Sequence, residues 1–178
     1  MLASVLLAGP AFAQADSIFR EISIAPHGTI ALGEPFQQAG EIGRRLQSNV
    51  YLLPPGFGGT KGIVVVLGPE GRVIALLFEY TGTETYDEMV SGYRTMLGSS
   101  EERITTSSPS GTGAPSGVCT SWNDGRTLFE VFWSVDDGGL LLSMMNDLGG
   151  NAEPDACLIS TYYELGKVLA AQNARSGM

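Results

Sequence analysis

The sequence predicts an α+β fold: an antiparallel β-sheet, built from a hairpin plus a three-strand meander, packed by two to three helices. Three observations carry this. Two apolar, β-branched runs flank Gly68-Pro69-Glu70-Gly71. Three strand-like runs in the C-terminal half are separated by Asn-Asp-Gly and Asp-Asp-Gly-Gly. Two stretches of helical spacing open on capping boxes. Strands and helices that segregate along the chain, instead of alternating strictly, suit an antiparallel sheet covered by helices.

The elements follow in chain order. Ile18 to Ile24 alternates and runs into the turn Pro26-His27-Gly28. The stretch Glu34–Ser48 reads as a helix, with Pro35 at its first position and Phe36, Ala39, Ile42 and Leu46 near helical spacing. Gly40 and Gly43 weaken it. A loop, PPGFGG, precedes the hairpin IVVVLGPEGRVIALLFEY. Thr85 then caps a helix with Glu88 three residues on, and Tyr86, Met89, Val90, Tyr93, Met96 and Leu97 form its apolar stripe up to Gly98. Residues 107–117 are poor in apolar side chains and rich in Ser, Gly and Pro, so they are expected to form a flexible loop within the domain. The runs GVCTSW, RTLFEVFW and GLLLSMM make the meander, and DACLISTYYELGKVLAAQ is extended through Ile159, then helical from a second capping box, Thr161 and Glu164. Each half of the chain places a helix before its strands, a hint of duplication without a residue-level repeat.

The ends and the charge set the expected setting. Leu2 to Ala8 is apolar or small, Gly9-Pro10 breaks it, and Ala11-Phe12-Ala13 has the small-x-small pattern of a signal-peptidase site. Residues 1–13 are therefore expected to be a signal peptide cleaved after Ala13 or Ala15, leaving a single domain over 16–178 in the periplasm or outside the cell. No Lys or Arg precedes the run, so the usual charged start is missing. The run is far shorter than the roughly 20 residues of a membrane-spanning helix. With 19 acidic and 10 basic residues the net charge is −9, which disfavours nucleic acid and anionic lipid as partners. Two cysteines, Cys119 and Cys157, in an exported chain predict a disulfide.

Chemistry-bearing motifs are few. GFGGTKG lacks the Gly-Lys-Ser/Thr and following helix of a phosphate loop, because Gly62 and a strand follow Lys61. The single histidine, His27, is of the type that exchanges protons near neutrality and is the one weak catalytic candidate. Acidic residues gather in the turns. In a meander Asp124 shares one sheet end with the connection carrying Asp147, Glu153 and Asp155, a set of oxygens that could hold Ca2+ or meet a basic partner. On the strand Arg126–Ser134, Leu128, Glu130 and Phe132 face away from Thr127, Phe129, Val131 and Trp133. With Leu141 and Met145 from the next strand, Leu128 and Phe132 form either a greasy docking patch or a second buried layer. Trp122 and Trp133 carry the same ambiguity.

These readings lead to an exported, non-catalytic protein that binds a protein or envelope component, through Leu128, Phe132, Leu141 and Met145 or through the acidic end with Asp147 and Asp155. No cofactor is expected. The alternatives are an extracytoplasmic hydrolase using paired carboxylates or His27, and a Ca2+-binding envelope protein holding the ion with Asp124, Asp147, Glu153 and Asp155.

Overall fold

The computed structural model describes residues 18–24, 26–54, 62–80, 82–105, 117–135 and 138–146, with the backbone alone for 101–105. The predicted signal peptide, Cys157, the C-terminal helix, most of the loop predicted at 107–117 and the acidic residues Asp147, Glu153 and Asp155 lie outside the described residues.

Short alternating and β-branched runs put about half of the described chain into strands. A two-stranded hairpin, β1 (Glu21–Ser23) and β2 (Thr29–Ala31), comes first. A four-residue helix, α1 (Ala39–Ile42), leads into β3 (Arg44–Gln47), β4 (Val50–Leu53), β5 (Ile63–Leu67) and β6 (Val73–Glu79). Helix α2 (Tyr86–Leu97) leads into β7 (Glu101–Thr105), β8 (Gly117–Asn123), β9 (Thr127–Ser134) and β10 (Leu140–Asn146). Strands β3 to β10 form one antiparallel sheet of eight, in the order β3-β4-β5-β6-β10-β9-β8-β7.

Several expectations need correction. The sheet is not a hairpin plus a three-strand meander but eight strands, because β3, β4 and β7 add to it. These are short or polar, and β3 and β7 are edge strands whose charged residues give no alternating apolar signal. The helix expected over Glu34–Ser48 shrinks to Ala39–Ile42. It stops at Gly43, which is extended (φ −113°, ψ 149°) and packed so closely that a Cβ there would lie 2.7 Å from the Ala39 carbonyl oxygen and 2.8 Å from Leu53 Cδ2. The chain turns at that point into β3, against β4. Gly117, placed in the expected loop, is the first residue of β8.

Other expectations hold. Thr85 and Glu88 form the reciprocal capping box of α2, which buries Val90 and Leu97. Asn123-Asp124-Gly125 turns β8 into β9, with Gly125 at φ +80°, a left-handed conformation that favours glycine.

The eight strands divide into two equivalent meanders. Adding 66 to the residue numbers of the β5–β6 ladder reproduces the β9–β10 ladder: Ile63↔Phe78 becomes Phe129↔Met144, and Val66↔Ala75 becomes Phe132↔Leu141. Leu77 and Ser143, also 66 apart, pair with each other across the β6–β10 seam, so a local two-fold axis passes through that pair. The outer strands follow: Val50 pairs with Val66 as Cys119 pairs with Phe132, and Arg44 opens β3 as Glu101 opens β7. The equivalent pairs Leu53 and Trp122, Ile63 and Phe129, Val65 and Val131, and Leu76 and Leu142 all lie in one core. The hint of duplication is thus a property of the topology, although the side chains differ.

That core lies between the sheet and α1, α2 and the β1–β2 hairpin. Ile24, Ile30 and Leu32 reach it from the hairpin region, Ala39 from α1, and Val90 and Leu97 from α2. At its centre Phe129 is wholly buried, with ring centroids 5.0 Å from Phe19, 4.6 Å from Tyr93 and 5.6 Å from Trp122. The Trp122 indole N–H donates to the Gly98 carbonyl at 3.3 Å, and the Tyr86 and Thr120 hydroxyls lie 2.6 Å apart, so polar atoms at the helix–sheet boundary are paired.

Phe129→Ala is therefore expected to lower unfolding stability by about 3–5 kcal/mol, the cost of an aromatic cavity in a close-packed core. Met96, 56% exposed on α2, gives the contrast: Met96→Ala should change stability by less than about 0.5 kcal/mol. Urea denaturation of both variants measures the difference.

Candidate functional site

The second sheet face is one to which neither α1 nor α2 contributes a core residue. Among the described residues its core cluster comes from strands: Val50, Val66, Ala75, Leu77, Cys119, Phe132 and Met145, with Leu46, Val64, Ile74, Leu128 and Leu141 packed around them. The alternation read from β9 and β10 is correct as to side, since Leu128, Phe132, Leu141 and Met145 gather here while Phe129 and Val131 belong to the other core.

Exposure divides this face. Phe132 is 0% and Met145 5% exposed, so neither presents a surface to a partner, and Leu128 and Leu141 are half-buried. Trp122 is buried in the first core and Trp133 is half-buried against it. Glu130, also 0% exposed, pairs across the ladder with Ser143, whose hydroxyl donates to Glu130 Oε2 at 3.4 Å. On the other side of the seam Val64 and Ile74 are half-buried, as are Leu46 and Leu52. These four form an aliphatic strip over β3 to β6 that local reading of the sequence missed. Alternation in IVVVL and VIALLF shows which residues share a face, but which strands neighbour one another depends on the non-local β6–β10 pairing.

The acidic end was expected to gather Asp124 with Asp147, Glu153 and Asp155. Asn146 does pair with Thr127, which puts the end of β10 beside the Asp124 turn. Asp124 itself is committed to the fold. Its Oδ1 accepts the backbone N–H groups of Arg126 (2.9 Å) and Thr127 (2.7 Å), and its Oδ2 accepts that of Ile18 (3.1 Å). Three of a carboxylate's roughly four lone-pair sites are therefore occupied by protein donors. Partial burial disfavours its charged form, but the three amides and nearby Arg20 outweigh that and hold the carboxyl below its ordinary value.

Arg20, which no sequence signal singled out, is the other half of this end. Its guanidinium donates to Thr127 Oγ1 and the Arg126 carbonyl on β9's side, to Asn146 Oδ1 (2.6 Å) on β10, and to the Leu32 carbonyl (3.4 Å) beyond β2. Asn146 in turn donates to the Val73 carbonyl of β6 at 3.3 Å. The result is a polar clasp across three strand ends, with no open carboxylate pair among the described residues.

His27 sits exposed on the β1–β2 turn, its backbone N–H donating to the Ile24 carbonyl at 2.9 Å. Among the described residues no three His, Cys, Asp or Glu side chains come close enough to hold a metal ion. Cys119 is buried on the second face, and its expected partner lies outside the described residues. Among the described residues no helix is long and apolar enough to cross a membrane.

The engaged Asp124 gives the fold a pH signature. With its folded pKa below the ordinary 3.8, the ionised carboxylate stabilises the fold above about pH 4, and that contribution is lost as pH falls through the folded value. Wild type should therefore exceed Asp124→Asn in stability near neutrality, and the gap should narrow below about pH 4, read by denaturant unfolding at a series of pH values. A gap independent of pH would count against the charged contacts. No family model, curated protein or solved structure matches the chain.

Proposed function

We propose that the protein works outside the cytoplasm as a non-catalytic binding protein, taking a protein or envelope component on the aliphatic strip of β3 to β6. One observation carries the reading: Leu46, Leu52, Val64 and Ile74 are only half-buried on adjacent strands, on a face to which none of the described helices contributes a core residue. Contiguous apolar surface of this kind marks interaction sites more often than it marks ordinary surface. The chain's net charge of −9 favours a partner with a basic rim around an apolar centre. The leader-like residues 1–13 and the pair Cys119 and Cys157 support export into an oxidising compartment. The hydrolase and calcium readings gain no support from Asp124, whose oxygens already serve three backbone amides.

The test starts from affinity capture of the mature protein out of its own envelope fraction, followed by titration of the captured partner. Val64→Lys and Ile74→Lys should each weaken binding by about 2 kcal/mol, roughly thirtyfold, while retaining the wild-type circular dichroism. Asp147→Lys and Asp155→Lys should act mainly by slowing association and flattening its salt dependence. Unchanged affinity in both strip variants would remove the reading.

A further inference from the structure

The two meanders touch along a wide surface and are linked covalently at one point. The first, with β1 to β6 and α1, ends at Glu79; the second opens on α2 at Tyr86 and runs to the end of β10. Between them lie the β6–β10 ladder from Ala75↔Met145 to Glu79↔Leu141, the shared core and the Arg20 clasp. Each of these contacts can form equally well between the first half of one copy and the second half of another. The partner that is taken is therefore decided by the connection between β6 and α2. When it closes within one chain it holds the halves at an effective concentration in roughly the mM range, and any cost of closing it favours exchange.

The closed connection is organised by three residues. The Tyr80 backbone N–H donates to the Leu140 carbonyl at 2.8 Å and carries the seam one residue past β6. Its side chain packs against the first core, and its hydroxyl donates to the Glu84 carboxylate. Gly82 lies directly against the ring: a Cβ there would overlap the Tyr80 hydroxyl and Cζ. Space, not backbone conformation, thus demands glycine at this position while the Tyr80–Glu84 bond is made. Gly82, Thr83, Glu84 and Thr85 are all exposed, so changing them does not disturb the core.

We infer that Tyr80, Gly82 and Glu84 form a closure device that keeps the two meanders of one chain paired with each other, and that releasing it yields a reciprocal dimer with a second copy, β6 of each chain pairing with β10 of the other. Gly82→Val acts on both states. It displaces the Tyr80 ring in the closed connection, and its branched side chain favours the extended backbone of an open one. The six residues from Tyr80 to Thr85 span up to about 20 Å when extended, enough to pass between two units in contact. Each reciprocal dimer opens two connections, so a penalty on closure enters its stability squared. An overlap that disfavours closure about tenfold raises the dimerisation constant about a hundredfold. Loss of the Tyr80–Glu84 bond alone, about twofold per connection, raises it about fourfold. This device goes beyond the binding role and stands whether or not the β3–β6 strip takes a partner.

The experiment refolds the full mature chain from urea at about 1 mM and at about 10 μM, on either side of the concentration at which exchange becomes favourable, and measures mass by light scattering after size exclusion. Wild type should be monomeric, and Gly82→Val dimeric after refolding at the higher concentration with the wild-type circular dichroism. Tyr80→Phe and Glu84→Gln should show smaller dimer fractions, and Thr83→Val, which adds no bulk against Tyr80, should match wild type. Mixing 15N-labelled and unlabelled Gly82→Val dimers should give mixed species only after joint unfolding and refolding, because partners exchange no faster than the fold opens. A monomeric Gly82→Val protein, a dimer that exchanges subunits on simple dilution, a Thr83→Val protein that dimerises equally, or a reciprocal dimer in wild type would each overturn the inference. Should Gly82→Val fail to refold, unchanged dimerisation in both Tyr80→Phe and Glu84→Gln overturns it.

Discussion

The antiparallel pairing of β6 with β10 is the constraint on which the rest of the architecture depends. It joins the last strand of one meander to the last strand of the other, from Ala75↔Met145 to Glu79↔Leu141. Only through this seam do Leu76 and Met144 face each other in one core, both without exposure. The first meander has little cover of its own: a four-residue helix and a hairpin with strands of three residues. The second has the twelve-residue α2, anchored to Trp122 and Thr120 of β8 and laid over Phe129 of β9. Separated at the seam, the first half would bring a four-stranded sheet and too little to bury it. Joined, both halves share one apolar layer. The pairing is also non-local, closing a loop of more than 60 residues, a step whose entropic cost grows slowly with length but which slows folding.

The clasp at one end of the sheet follows from the seam. Arg20 bridges the ends of β9 and β10 through Thr127 and Asn146, and Asn146 reaches Val73 at the start of β6. The three strand ends meet only when β6 and β10 are paired in the observed register. A guanidinium suits this place because its planar fork offers five donors in fixed directions, enough for two side-chain and two carbonyl oxygens. Asp124 complements it by capping the β8–β9 turn and holding Ile18, so the N-terminal segment is fastened by a cation and an anion acting on different strands. Its depressed pKa is a consequence of this structural use, and perturbation of that kind accompanies ion-pair and hydrogen-bond networks as readily as catalytic sites.

Legibility in the sequence tracked the range of the interaction. The capping box at Thr85 and Glu88, the hairpin at Gly68 to Gly71 and the meander strands β8 to β10 rest on neighbours a few residues apart, and all could be read directly. So could the sidedness of Leu128 and Phe132 against Phe129 and Val131, which needs only a period of two. The edge strands were lost. Arg44 to Gln47 and Glu101 to Thr105 are polar because edges are charged to discourage pairing with other chains, which erases the pattern that would reveal them. Helical spacing of Phe36, Ala39, Ile42 and Leu46 misled for a related reason: Gly43 packs against Leu53, a contact that decides where the helix stops and that no local pattern contains. For the candidate site, sequence located the face but could not separate its buried residues from its half-buried ones, because exposure depends on what lies over each strand.

That separation has a chemical logic. A carboxylate and a hydroxyl removed from water, as Glu130 and Ser143 are, are costly unless their partners remain in place, so the half of the sheet that holds them cannot be wetted intermittently without loss. Valine, isoleucine and leucine carry no such condition. At equivalent backbone positions the β3–β6 half holds Val64 and Leu77, side chains that tolerate a neighbour made of water, of lipid or of another protein with modest differences in free energy. At this pair of positions the two copies of one topology carry opposite chemistry, a buried polar pair on the β8–β10 half and an aliphatic pair on the β3–β6 half. A surface that must form and dissolve contacts is expected on the second kind of half, where Leu46, Leu52, Val64 and Ile74 lie.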